Sequence, residues 1–162
     1  MPLILFKTQY TGAVPGSVNL KQRNYNKIKK EAFELVGRRW HKRMVPKHFT
    51  PAGAREYHYR RRSSKYEEAK KRRFGHKDPL KFTGEAEEKT KTARIVATSK
   101  SVHIRLTNAR KLNWRNPESS IRMADEVARV SQSEEKELWD YFDAMVMRRL
   151  KRIRGTKTKT IN

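Results

Sequence analysis

Cysteine is absent from the 162-residue chain, which removes disulfides and thiolate metal ligands together. Acidic residues are scarce beside basic ones: 17 Asp and Glu stand against 40 Lys and Arg, a formal net charge of +23. Apolar residues make up 35% of the chain, fewer than the roughly 45–50% of a typical globular domain. Such a chain can build one core, but part of it is expected to lie in arms or surfaces that order against a partner. Long apolar runs are missing as well. Leu3–Phe6 is too short for a signal peptide or a membrane span, so a soluble protein made in the cytoplasm, with no membrane partner, is expected.

Catalytic signatures are also missing. The chain has no phosphate-cradling G-x-x-x-x-G-K-S/T loop, no dinucleotide-binding G-x-G-x-x-G and no metalloprotease H-E-x-x-H. The histidines at 41, 48, 58, 76 and 103 lack metal-ligand spacing. The carboxylate pairs Glu67-Glu68, Glu87-Glu88, Asp125-Glu126 and Glu134-Glu135 are sequence neighbours, which point apart on a helix, and they suit helix first turns. No catalytic residue, metal or cofactor is therefore assigned, and a non-enzymatic protein is expected.

Residues 1–20 read as an extended N-terminal arm or edge strand, because Leu3–Phe6 is followed by the turn-rich Thr11–Gly16. Asn24 is expected to cap a helix from Tyr25 to Met44. Its apolar positions Ile28, Ala32, Leu35, Val36, Trp40 and Met44 share one face, and Pro46 ends it. Residues 48–59 contain Pro51 and Gly53 without a period and read as loop. Ser64 and Glu67 form a capping box for a short basic helix stopped by Gly75. Pro79–Phe82 returns to the core, and Thr83 is placed to cap a further helical turn. Alternation at Ala93, Ile95, Ala97 and at Val102, Ile104, Leu106 predicts a β-hairpin. Residues 108–124 suggest a loop, and Val127 and Val130 fit either a third strand or a helical turn. Ser131 and Glu134 form a second capping box, opening a helix with Leu138, Phe142, Met145, Val146, Leu150 and Ile153 on one face and Gly155 at its end. The sum is an α+β fold: two long amphipathic helices packed on a small, mostly antiparallel β-sheet, with an extended arm and a basic loop. The single domain spans 21–155, between the arm at 1–20 and a flexible tail at 156–162.

Charge points to anionic partners. Cations near a helix C-terminus, such as Lys42-Arg43 and the set from Arg148 to Arg154, have a local dipole explanation worth about 0.3–1 kcal/mol each. Arg60, Arg61 and Arg62 precede a helix N-terminus and have no such explanation. Together with Lys70, Lys71, Arg72 and Arg73 they are the expected polyanion or partner contacts. Replacing Arg60–Arg62 by serine is therefore expected to leave the fold intact. Tyr57, Tyr59 and Tyr66 interleave with these cations, and Trp114 stands in a polar loop. All four are candidate partner anchors, since Tyr, Trp and Arg dominate interface hot spots.

The stretch Tyr59–Tyr66, followed by Lys70-Lys71, Gly75-His76 and Pro79-Leu80-Lys81-Phe82-Thr83-Gly84, resembles the neck and tail-completion (head–tail connector) proteins of tailed bacteriophages. The hairpin at Ala93–Leu106 and the late segment Glu126–Ser131 with Glu134-Glu135 follow in the order that family has. The resemblance covers about residues 25–152. It makes Pro79, Leu80, Thr83 and Gly84 the family's structural turn. Glu85-Ala86 departs from its usual acid followed by a large apolar residue. The resemblance implies a virion protein at the head–tail junction, forming a homo-oligomeric ring of six or twelve copies. Its neighbours there would be portal–adaptor and tail proteins, with packaged DNA as a sequence-independent contact. Composition alone favours a basic RNA-binding protein such as a ribosomal protein, and a nuclease would need Glu67, Asp78 and Glu85 gathered on a metal.

Overall fold

The computed structural model describes the backbone of residues 3–7, 22–106, 112 and 121–157, with side chains from 22 onward as far as 153. Helix α1 runs from Gln22 to Arg43 and buries Ile28, Ala32, Phe33, Val36, Gly37 and Trp40 on one stripe. Asn24 lies inside the helix and does not cap it. Leu35 points to solvent, and Phe33 takes the core position instead. The helix gives way to a 3-10 helix, Val45–Phe49, with Pro46 in its first turn, where a missing N–H costs nothing.

The segment read as loop is helical in two pieces. After the 3-10 helix, Thr50 caps α2 (Pro51–Glu56), its hydroxyl accepting from the Gly53 N–H at 3.0 Å. Helix α3 (Ser64–Phe74) is capped by Ser63, one residue earlier than expected, and ends at Gly75 with φ of 76°. The basic loop 57–63 joins these two helices. Helix α4 (Glu85–Thr90) starts from Gly84, at φ 83°, and Thr83 makes no cap. Phe82, expected in the core, is 44% exposed.

The hairpin is present as β2 (Arg94–Ala97) and β3 (Ser101–Arg105), paired antiparallel with Ile95 opposite Ile104. On the other side of β3 lies β1 (Leu3–Lys7), also antiparallel, giving the order β1-β3-β2. Val127 belongs to a short helix, α5 (Met123–Val127), which settles the strand-or-turn choice there for the helical turn. Helix α6 runs from Gln132 to Lys157, through Gly155 and two residues beyond the expected domain boundary.

Helix α1 contacts β2 and β3 and also α6. Against the sheet the approach is close because Gly37 has no side chain: a Cβ there would sit 2.8 Å from a Val102 methyl and 2.9 Å from an Ile95 methyl. Toward α6, Phe33 packs on Phe142 with centroids 4.6 Å apart, and Trp139 meets both rings edge-on. The two helices run antiparallel. Arg39 near the end of α1 pairs with Glu137 near the start of α6, and Glu31 near the start of α1 pairs with Arg149 near the end of α6. The buried α6 positions Leu138, Phe142, Val146 and Leu150 repeat at spacings of four, as expected from the sequence.

Candidate functional site

The expected contacts cluster where α2, the basic loop and α5 meet, but several of them face inward. Arg62 reaches Glu126, 64 residues away, with both terminal nitrogens, at 3.0 and 2.6 Å. Glu126 is 3% exposed, so this bidentate pair is an internal charge pair and not an external anion contact. Arg62 also donates to the Arg60 carbonyl at 2.7 Å. Arg129 clamps the loop from the other side, donating to the carbonyls of Tyr57 and His58 at 2.8 and 2.6 Å. His58 is held there at φ 51°, a backbone region costly for a non-glycine residue.

Tyr57 is 3% exposed and cannot anchor a partner. Its ring stacks on His48 at 3.9 Å and its hydroxyl donates to Glu134 at 2.6 Å. Glu134 also accepts from Lys47 at 3.0 Å and closes the expected capping box with Ser131. Tyr59 is half-buried, its hydroxyl hydrogen-bonded to His48 Nδ1 at 2.5 Å. Burial pushes the His48 pKa down to about 3, helped by the Lys47 ammonium and opposed by the Glu126 main chain. Burial likewise raises both tyrosines well above their ordinary value, reinforced by Glu134 at Tyr57 and by Glu126 at Tyr59. These groups form a polar knot that fixes the loop.

Outside the knot lies a cleft of about 690 Å³. It unites Tyr59, Arg60, Arg61, Arg62, Tyr66 and Lys70 with the turn residues Pro79 and Leu80, which sequence had assigned to separate roles. Seven lining residues are Arg or Lys and one, Glu67, is acidic. Lys70 is buried and donates to the Asp78 carbonyl, so it braces the turn; burial also lowers its pKa. Leu80 sits at φ 54° with its side chain buried, a strained backbone held by core packing. Phe82 leans on Phe74 at 4.3 Å and stays exposed beside the opening.

Lys71, Arg72 and Arg73 are exposed but do not line the cleft, nor do Thr83 and Gly84. Trp114 lies outside the described residues. Arg55 and Lys77 belong to the cleft although no sequence signal groups them with it, and Lys81 and Phe82 enter it with the turn segment. Glu126 carried one readable signal, membership of an acidic pair, which suited a helix first turn equally well. Among the described residues no three His, Asp or Glu side chains gather as a metal-binding group. Glu67 instead faces Lys77 and Glu85 pairs with Lys89. Compared with known proteins, the chain matches no family model, and no curated protein or solved structure is similar to it.

Proposed function

We propose that this protein is a non-enzymatic virion component at the head–tail junction of a tailed phage, a ring subunit joining the portal–adaptor assembly to the tail. The observation that carries the reading is the meeting, in one basic cleft, of the two segments that bear the resemblance, Tyr59–Tyr66 and Pro79–Phe82. Segments at the two ends of α3, held together by the turn that Lys70 braces, make a docking feature, and their residue types are those of interfaces. The sheet adds a second support. Strand β2 lies at its edge, with Val96 exposed, and an edge strand is a ready template for a neighbouring subunit in a ring. The surplus of positive charge suits a position beside packaged DNA.

The test is a density gradient of nuclease-treated lysate, with mass spectrometry across the fractions. Fixed stoichiometry in DNA-filled particles that survives high salt is the expected result. Co-migration with ribosomal subunits would overturn it and make the exposed cations ribosomal-RNA contacts.

A further inference from the structure

The cleft carries two chemistries at different depths. Its apolar lining is Leu80, 7% exposed, with Pro79 and Met123 beside it half-buried and the exposed rings of Tyr66 and Phe82 at the rim. Around it stand cations, Arg55 and Arg61 on the side of α2 and the basic loop and Lys77 and the half-buried Lys81 on the side of the turn. Lys77 and Lys81 have surface carboxylate partners, Glu67 at 3.9 Å and Glu87 at 2.9 Å. Among the described residues Arg55 and Arg61 have no carboxylate partner. The fold thus consumes Arg62 and Lys70 internally and leaves other cations at the mouth of an apolar recess.

We infer that this cleft docks an acidic segment of a partner protein: an extended stretch whose carboxylates flank one bulky apolar side chain. The apolar side chain covers Leu80 and Met123, and the carboxylates meet Arg55 and Arg61. The volume lies within the roughly 300–1,000 Å³ of ordinary ligand clefts, enough for a short peptide and far too small for a duplex. Nucleic acid alone fits the lining less well. Phosphates would satisfy the cations and bases would stack on Tyr66 and Phe82 at the rim, but neither would cover the Leu80, Pro79 and Met123 floor. A polar rim around an apolar anchor pocket is the usual anatomy of a protein interface. The inference rests on the reading of the protein as an assembly component and deepens it by naming the class of occupant.

The experiment is fluorescence anisotropy of the full chain at about 0.15 M salt. One labelled probe has acidic residues around a central phenylalanine; its control has alanine there. The third probe is a single-stranded oligothymidylate of equal charge. The phenylalanine peptide is expected to bind roughly fivefold or more tightly than the alanine peptide, through the apolar area it buries. Replacing Arg55 and Arg61 together by serine should weaken both peptides about tenfold. Phe82→Ser should reduce the discrimination between them. All three positions are exposed, and circular dichroism checks that the fold survives. Equal binding of the two peptides, tighter binding of the oligonucleotide, or an unchanged R55S/R61S variant would overturn the inference. Peptide discrimination by a protein missing from phage particles would leave the cleft standing and sink the head–tail reading. A particle-borne protein without discrimination would do the reverse.

Discussion

The α1–α6 body and the segment from Val45 to Ser63 solve the same problem by different means. The body is held by apolar interdigitation: Phe33, Phe142 and Trp139 between the helices, Gly37 against Val102 and Ile95 at the sheet. The segment is held by buried polarity: Tyr57 hydrogen-bonds Glu134, Tyr59 hydrogen-bonds His48 Nδ1, and Arg62 pairs with Glu126. Apolar packing tolerates imperfect partners, whereas a buried charge depends on one specific partner. The contrast also sorts the basic residues. Those the segment needs are inside, and the others, such as Arg55 and Arg61, stay exposed.

Breaking either region tests this contrast. The largest effect is expected from Phe142→Asp, which puts an unpaired charge at a fully buried site in the body. Circular dichroism should show an unfolded chain; a folded one would mean that the α6 face is misassigned. Next is Glu126→Ala, which strands the Arg62 guanidinium and should cost about 3 kcal/mol in urea denaturation. A loss below about 1 kcal/mol, the range of a surface pair, would place that charge pair in solvent. Gly37→Val forces methyl groups into the α1–hairpin contact and is expected to cost about 2 kcal/mol by overpacking.

The gentlest probe is pH. His48 is held neutral in the fold, with a pKa near 3 against 6.5 when free. Between those values the unfolded chain binds the extra proton. Stability contributed above pH 6.5 is therefore lost as pH falls toward 3, by at most about 1.4 kcal/mol per pH unit. His48→Phe should flatten the dependence of the urea midpoint over that range. An unchanged slope would assign the dependence to other groups.

The same contrast explains what could be read from the sequence. Periodicity exposes apolar packing, so the α6 face, the hairpin and most of the α1 stripe were legible, with Leu35 and Phe33 exchanged between surface and core. Local capping chemistry was legible at the Ser131–Glu134 box and, to within a residue, at Ser63, but not at Asn24 or Thr83, neither of which caps a helix. Pairings across the chain were not. Nothing near Arg62 announces Glu126, and an arginine run with a structural member looks like one without it. The helix at Pro51–Glu56 was hidden because Pro51 and Gly53 usually signal turns. Here Pro51 sits at the first helical position, and Gly53 packs so close to the Lys47 carbonyl that a Cβ would lie 2.0 Å from it.

The division within the Arg60–Arg62 run is the central claim, and urea denaturation of Arg62→Ser beside Arg61→Ser tests it most directly. Serine at 62 leaves Glu126 buried without its partner and should cost about 3 kcal/mol. Serine at 61 should stay within about 0.5 kcal/mol of the parent, as an exposed substitution does. This corrects the expectation that all three arginines can be replaced without harm to the fold. Equal losses at the two positions, or a larger one at 61, would contradict the account.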